Sequence, residues 1–502
     1  MRRYKYVRYK KLMKVNYKSI IKILGIITFI EGLFMLPCIA AALYFKEWNA
    51  GRPLLITSVI CITAGFIILM QLKLGKIKLK YRESYFIACT SWIFAALIGA
   101  LPFYFCGCDF SFISCYFESV AGFSTTGCSV LDADMIPNSL LMWRALCHWL
   151  GGMGILVLLI SIFPLWGINS QTVALAETPG LKKEKLAAKY SYTSKFLYIS
   201  YTVLSITEFI LLVIGPMDWF NAFLTTCSSI STAGLIVTSS NSWLYNLVSV
   251  RAVILIFTVL SSLNFIVYFM AVKGKWSDIL KNIETRVFLS IIAGATLVIA
   301  VTLKLTGTYS TLWQAVKDSL CQVVSFISTS GFYVVDYTNW PSFAIMILFL
   351  LLFVGGCSFS TSGSLKVVRV VIFFKLIKRG FLKHIHPRMV KAVMLEKEPI
   401  SAYNASSVTI HILLYMGILM LGCLLLSFNN LSMEATITSA LGLFSNAGVA
   451  LTGSGNFGNF SMFNEFSQLV MTFLMIAGRL EMYSVIILFT KSFWKHNRAN
   501  AV

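Results

Sequence analysis

Four short runs of this chain could do the same chemistry: Ser124-Thr125-Thr126-Gly127-Cys128, Ser231-Thr232-Ala233-Gly234-Leu235, Ser328-Thr329-Ser330-Gly331-Phe332 and Ser445-Asn446-Ala447-Gly448-Val449. Each reads serine, polar residue, small residue, glycine. Small side chains leave backbone carbonyls uncovered, and glycine accepts conformations that let consecutive carbonyls turn toward one axis. Rings of such carbonyls can replace the water shell of a dehydrated cation. The residues that would supply them are Thr125, Thr126 and Gly127; Ser231, Thr232, Ala233 and Gly234; Thr329, Ser330 and Gly331; and Asn446, Ala447 and Gly448. Serine and threonine hydroxyls would add ligands or brace the loops from behind. One such tetrapeptide is an ordinary helix C-cap. Four of them, each after a short apolar helix, form a repeat.

A second constellation lies in the apolar stretch 342–374, whose middle reads Gly355-Gly356-Cys357-Ser358-Phe359-Ser360-Thr361-Ser362-Gly363-Ser364. Polar, flexible backbone at membrane depth persists only against protein or a water-filled cavity. The helix is therefore expected to break just below the glycine loops and to cross the ion path there; a kink with no part in permeation is the alternative. Lys366 reads either as a snorkelling cytoplasmic residue or as a charge near the path. Arg479 stands near the centre of the stretch 466–490, where a charge costs at least ~2.5 kcal/mol and needs a polar partner or cavity. Glu481 is two residues away and cannot share its helix face. Arg479 is thus either a charge in the cavity under the loops or one half of a salt bridge to another helix. Glu118, on the first short helix, has either a pore-side role or a structural hydrogen bond.

The elements that must position these residues follow from composition. The 502 residues are 58% hydrophobic and 12% charged, and many apolar stretches approach the ~20 residues that span a bilayer. Ten spans can be drawn: 23–45, 53–72, 84–105, 141–166, 194–217, 249–272, 287–305, 342–374, 408–428 and 466–490. Glu31 and Pro37 sit inside the first, which is too long for a leader's apolar core, so it reads as retained. The last eight spans pair into four repeats. Between the members of each pair lies a short amphipathic piece (Phe112 to Phe123, Trp219 to Ile230, Leu312 to Ile327, Met433 to Phe444), half a span in length, then a glycine loop. Such a piece enters the bilayer and returns.

Charge sets the orientation. The formal net charge is +22, but Lys and Arg cluster at Arg2 to Lys18, Lys73 to Arg82, Lys182 to Lys189, Lys273 to Arg286, Lys375 to Lys397 and Lys491 to Arg498. Residues 103–140, 215–248 and 428–466 contain none, and 307–341 contain only Lys317. Both termini and the basic loops are therefore expected inside, and the glycine loops outside. The charge reports topology and lipid contact, not a nucleic-acid partner. Asp109, Asp132, Asp134, Asp218, Asp336 and Glu465 fall in or beside the outer segments, opposed only by Lys317 and a flanking Arg144; they would concentrate cations or simply be solvated. Twelve cysteines without a CxxC pair suggest neither a disulfide framework nor a metal site. His411, and His148 beside Gly151, Gly152 and Gly154, read as packing residues; Glu208 and Asn264 read as pore-lining groups or interhelical hydrogen bonds.

These motifs, with His148-Trp149-Leu150-Gly151-Gly152-Met153-Gly154, Asp336-Tyr337, Trp340-Pro341, Gly455-Asn456-Phe457-Gly458 and Gly478-Arg479-Leu480-Glu481, resemble the Trk/Ktr/HKT superfamily of cation transporters, most closely its bacterial TrkH/TrkG branch. The resemblance runs along nearly the whole chain. It implies an all-α integral membrane protein of four fused repeats (first helix, pore helix, filter loop, second helix) around a pseudo-fourfold axis, plus two extra N-terminal helices. It further implies a potassium-translocating subunit of the bacterial plasma (inner) membrane that forms a homodimer and is gated by cytosolic nucleotide-binding subunits of the TrkA/KtrA type. No organic cofactor is expected. The filter glycines would be Gly127, Gly234, Gly331 and Gly448; the gate would comprise Gly355, Gly356, Cys357, Ser358, Gly363, Lys366 and Arg479. Gly127, where sodium-favouring relatives can carry serine, argues for potassium. Two departures are Val449, where such proteins tend to have proline, and Phe359, Ser362 and Ser364, where their gate segment is richer in glycine.

The repeats divide the chain into 1–82, 83–192, 193–285, 286–400 and 401–502. A membrane-embedded enzyme would need HExxH, paired acids or a nucleophile with its base, and none is evident. A secondary transporter with inverted repeats would alternate in topology, whereas these four all start and end inside. Channel-like and ion-coupled (symport) uptake both remain open.

Overall fold

The structure, a computed structural model, describes residues 17–71, 77–78, 81–107, 110–154, 168–169, 190–234, 236–238, 241–332, 335–389, 392–395, 398–451, 460–480 and 482–494. Outside them lie most of the N-terminal basic cluster, most of Lys73 to Arg82, all of Lys182 to Lys189, Arg498, Cys108, Asp109, Leu235, Gly455 to Gly458, Glu481 and the end of the fourth span.

The described chain is helical apart from two short strand pairs, Ile77–Lys78 with Ile168–Asn169 and Met394–Leu395 with Glu398–Pro399. Two long apolar helices lead: Tyr17–Tyr44 (α1) and Trp48–Gln71 (α2). They lie close because Gly25, Gly32 and Gly65 carry no side chain: a Cβ on Gly65 would sit 2.8 Å from the Gly25 carbonyl oxygen. The outer face of α2 leaves Leu55, Ile56, Val59, Ile60, Phe66 and Ile67 exposed, the pattern of a lipid-facing helix.

Four repeats follow. The first comprises Tyr81–Tyr104 (α3), Phe112–Phe123 (α4) and Asn138–Gly152 (α5); the second Tyr190–Ile214 (α6), Trp219–Ile230 (α7), Val248–Ser262 (α8), Ile266–Val272 (α9) and Trp276–Lys281 (α10). The third comprises Ile283–Leu305 (α11), Leu312–Ile327 (α12), Ser342–Leu351 (α13) and Val367–Ile385 (α14); the fourth Ala402–Leu426 (α15), Met433–Phe444 (α16), Glu465–Arg479 (α17), Tyr483–Phe489 (α18) and Lys491–Trp494 (α19). Among the described residues six helices are long and apolar enough to cross a membrane, with α8 and α9 a candidate seventh span.

Sequence reading drew the sixth and tenth spans as continuous, and the structure corrects this. α8 and α9 meet at a 98° bend over Leu263–Phe265. α17 ends at Arg479, and Met482 takes a positive φ of 55° before α18. Arg479 therefore lies at a helix end, where the stretch 466–490 breaks near its centre. α13 and α14 separate at the expected segment, and α5 stops at Gly152. All four second helices thus end or break at a corresponding place. Two of the breaks carry only one polar residue between apolar neighbours, Asn264 in Leu263–Phe265 and Glu481 between Leu480 and Met482, too brief an interruption for hydropathy to mark.

Candidate functional site

The four short helices begin and end alike. A side chain caps each N-terminus: Ser111 accepts from the Ser114 amide, Asp218 from Phe220 and Asn221, Thr311 from Gln314, and Ser432 from Ala435. A serine closes each C-terminus in a right-handed conformation: Ser124, Ser231, Ser328 and Ser445. The next residue is left-handed in every repeat, with φ of 55° at Thr125, 55° at Thr232, 58° at Thr329 and 59° at Asn446. The third has negative φ. The glycine is left-handed again, at 70°, 86°, 62° and 63° for Gly127, Gly234, Gly331 and Gly448. A β-branched residue rarely tolerates positive φ, so the first three loops hold strain at Thr125, Thr232 and Thr329 that their surroundings must offset, whereas Asn446 accepts this conformation more readily.

Loop amides supply part of that support by bonding back to the helix. Thr126 and Gly127 donate to the Ala121 carbonyl at 3.0 and 3.3 Å, Ser330 and Gly331 to Ser325 at 3.0 and 3.1 Å, and Ala447 and Gly448 to Gly442 at 2.8 and 3.0 Å; Ala233 donates to Ser228 at 2.9 Å. With the amides turned toward the helices, the loop carbonyls are left for the other side, apart from that of Gly127, which accepts from Arg144 Nη2 at 3.1 Å. Hydroxyls brace the loops: Ser124 with Thr126 at 2.7 Å, Ser328 with Ser330 at 2.9 Å, and Thr232 onto the Ser231 carbonyl at 2.7 Å.

The loops close a ring. A Cβ placed on Gly127 would lie 1.4 Å from the Ala233 carbonyl oxygen, on Gly234 2.7 Å from that of Ser330, on Gly331 1.7 Å from that of Ala447, and on Gly448 2.2 Å from that of Thr126. Each glycine thus faces the carbonyl before the next repeat's glycine, in the order first, second, third, fourth, first. Only a residue without a side chain fits at these four places, and the residues named from sequence come together around one axis.

Below the ring, the segment between α13 and α14 folds back on itself. Gly355 donates to Leu365 at 2.8 Å, Gly356 to the Ser362 hydroxyl at 2.9 Å, and Cys357 to Ser262 at 3.0 Å; Lys366 Nζ donates to the Ser362 carbonyl. Gly363 donates its amide to the Thr329 hydroxyl at 2.7 Å, tying this segment directly to the third loop, and a Cβ there would lie 2.3 Å from the Ser445 carbonyl. Arg479 reaches across from the fourth repeat: Nη1 donates to the Thr361 carbonyl at 2.6 Å and Nη2 to the Gly151 carbonyl at 2.6 Å, with Gly152 beside it. Its guanidinium joins the end of α5 to the segment under the ring.

Sequence reasoning passed over several groups in this arrangement. Glu284, buried at the start of α11, accepts from Ser358 Oγ at 2.7 Å, from the Ser358 amide at 3.2 Å and from Asn264 at 3.2 Å. It ties the bend of the second repeat to the broken segment of the third. The available signal was an acid in the first turn of an apolar span. Glu47, in the turn between α1 and α2, accepts four bonds of 2.9–3.0 Å from Asn138 and Ser139 and caps α5, whose preceding Pro137 provides no side-chain cap.

The structure also settles several open alternatives. Arg144, read as a flanking charge, is instead buried 3.6 Å from Glu118. Glu118 serves a structural hydrogen-bond role, accepting from Ser129 and the amides of Val130 and Leu131. Glu208 accepts from Ser229 at 2.6 Å, and His411 pairs with Arg369 at 3.2 Å. Asp132, Asp218 and Asp336 are exposed and cap local turns or helix starts.

The family profile of TrkH, described as a cation transport protein, matches residues 51–497. The Trk system potassium uptake protein TrkH of Halomonas elongata is 29% identical over 492 residues, covering 96% of this chain and 100% of the relative. The Trk system potassium uptake protein TrkG of Escherichia coli is 29% identical over 475 residues, covering 94% of this chain and 97% of the relative. Among solved structures, the crystal structure of the potassium transporter TrkH from Vibrio parahaemolyticus superposes with a TM-score of 0.85 at 25% identity, over 96% of this chain and 100% of that one. With a ring of four backbone loops inside a bundle of apolar helices, and with a family match along most of its length, the chain belongs to the TrkH family of cation transport proteins and is a multi-pass membrane transporter, not an enzyme.

Proposed function

We propose that this chain is the potassium-translocating subunit of a Trk-type uptake system, and that the ion passes along the axis enclosed by the four glycine loops. The observation that carries the reading is the cyclic approach of each glycine to its neighbour's carbonyl. In this reading Thr125 to Gly127, Ser231 to Gly234, Thr329 to Gly331 and Asn446 to Gly448 present stacked backbone oxygens to a stripped cation. The segment Gly355 to Lys366 bars the inner side, and Arg479 holds it there while placing a positive charge by the exit. The repeats 83–192, 193–285, 286–400 and 401–502 act as one pore within one chain, with 1–82 as a peripheral addition. The relatives' names, parts of a Trk system for potassium uptake, support potassium as cargo and the existence of partner subunits, which this reading places in the cytosol. A homodimer in the bacterial plasma membrane with both termini inside completes the proposal.

The test is potassium uptake in cells stripped of their own potassium transporters, followed by reversal potentials of the purified protein in liposomes. Rescue of growth at low potassium and a preference for potassium over sodium are expected. A protein that moves neither ion, or in which Gly331→Ser leaves the permeability ratio unchanged, overturns the filter assignment.

A further inference from the structure

The four repeats match closely at the filter, yet one position behind it is unlike the rest. Six residues before the C-cap serine, the short helices carry Glu118, Thr225, Gln322 and Ser439, all buried. The seventh residue of each second helix is Arg144 in α5, Ile254 in α8, Leu348 in α13 and Met471 in α17, again all buried. Three repeats therefore carry a neutral polar residue at the first position and an aliphatic or thioether one at the second. The first has an ion pair, Arg144 Nε to Glu118 Oε2 at 3.6 Å.

Thr225 and Gln322 each use a single contact to hold the chain that follows the filter, while the Ser439 hydroxyl bonds nothing among the described residues and its neighbour Thr438 takes that part. Thr225 bonds the Tyr245 hydroxyl at 3.1 Å, Gln322 donates to the Val335 carbonyl at 2.7 Å, and Thr438, next to Ser439, accepts from the Leu451 amide at 3.0 Å. The ion pair does more. Glu118 Oε1 accepts from Ser129 Oγ at 2.5 Å, from the Val130 amide at 2.7 Å and from the Leu131 amide at 3.0 Å. Arg144 Nη2 donates to the carbonyls of Gly127 at 3.1 Å and Cys128 at 2.9 Å. The first filter glycine has its own carbonyl held by a charged side chain. Charge-assisted bonds are roughly twice as strong as neutral ones, and burial keeps them from being screened.

We propose that Arg144 and Glu118 are a specificity-determining pair: they stiffen the outer end of the first filter loop from behind and fix the direction of the Gly127 carbonyl. This rests on the filter reading above. The pair is neutral as a unit, so it acts by restraint, not by adding net charge to the path. A ring in which one loop cannot relax resists closing around a smaller cation, which favours potassium over sodium.

The experiment is a bi-ionic reversal potential on the full-length protein in liposomes. Removing one partner leaves an uncompensated buried charge, so the informative variant is the neutral double change Glu118→Gln with Arg144→Met, residue types the third and fourth repeats already carry at these places. The expected result is a folded, conducting protein whose potassium-to-sodium permeability ratio falls about tenfold, the scale of one charge-assisted hydrogen bond. Gly331→Ser serves as the reference. If Gly331→Ser lowers the ratio and the double variant keeps the wild-type value, or loses total flux at an unchanged ratio, the pair is merely structural and the proposal is overturned while the filter stands. If neither lowers the ratio, the filter assignment falls and takes the proposal with it. Should the double variant fail to fold, Arg144→Lys retains the charge without the planar fork; a ratio between wild type and Gly331→Ser supports the proposal, and an unchanged ratio overturns it.

Discussion

On the outer side of the axis the four repeats are near copies. Each short helix has a side-chain cap, a serine terminator and the same alternation of backbone handedness over four residues. On the inner side they part company. The second helix stops at Gly152 in the first repeat, bends by 98° in the second, gives way to a folded segment in the third, and breaks after Arg479 in the fourth. Under the proposed function the contrast follows from what each side would do. Carbonyl layers around an ion on the axis need equal contributions from every repeat, so departures there are costly. A barrier below needs to come from one side only, and three repeats are free to become its supports. Ser262 of the second repeat accepts from Cys357, Asn264 of that repeat steadies Glu284, which accepts from Ser358, and Arg479 holds the segment from the fourth.

The largest effect is expected where the outer symmetry is tightest. Alanine at the four glycines should lower potassium preference in the order Gly127, Gly331, Gly448, Gly234, following Cβ clearances of 1.4, 1.7, 2.2 and 2.7 Å. At Gly127 the left-handed backbone costs a side chain about 1–2 kcal/mol, a factor of about 5 to 30, and the overlap with the Ala233 carbonyl adds to it, so a loss above about tenfold is expected. Reversal potentials measure this series; equal losses at all four, or none, would break the link between ring geometry and selectivity.

Next comes the inner clamp. Arg479→Gln removes charge-assisted bonds to the Thr361 and Gly151 carbonyls, and basal potassium flux should rise about tenfold as the segment loosens. Tracer flux at fixed protein density decides it, and an unchanged rate would mean that the segment holds without the guanidinium. Glu284→Gln retains size but substitutes a donor for one acceptor where Ser358 and Asn264 both donate. A smaller rise in flux, about threefold, is expected from losing part of this network; the same flux assay with Glu284→Asp as control tests it.

The smallest effect belongs outside both regions. Glu47→Ala removes the cap that α5 receives from the turn between α1 and α2, costing about 1 kcal/mol of stability. Thermal melting in detergent should fall by a few degrees while the permeability ratio stays at the wild-type value. A changed ratio would instead tie the N-terminal pair of helices to the filter.

Much of the outer side was legible in the residues themselves. Serine, small residue and glycine at fixed spacing after a half-length apolar helix encode a turn through local sterics, and local sterics are written in sequence. The third-repeat break was legible for the same reason, since glycines and serines interrupt its hydropathy. In the second and fourth repeats a single polar residue, Asn264 or Glu481, stands between apolar neighbours, and one such residue in a long apolar stretch does not by itself mark a break.

By itself, then, the sequence determined a membrane-spanning chain of four glycine-bearing hairpins with one interrupted helix, because hydropathy and backbone preference act within a few residues. The tertiary structure alone decided the cyclic order in which each glycine meets its neighbour's carbonyl. It also decided that Arg479 binds Thr361 and Gly151, partners 118 and 328 positions away, and that Arg144 finds Glu118. Such pairings depend on how whole helices pack. A buried charge takes whichever polar group that packing brings within reach, and no local pattern specifies which one.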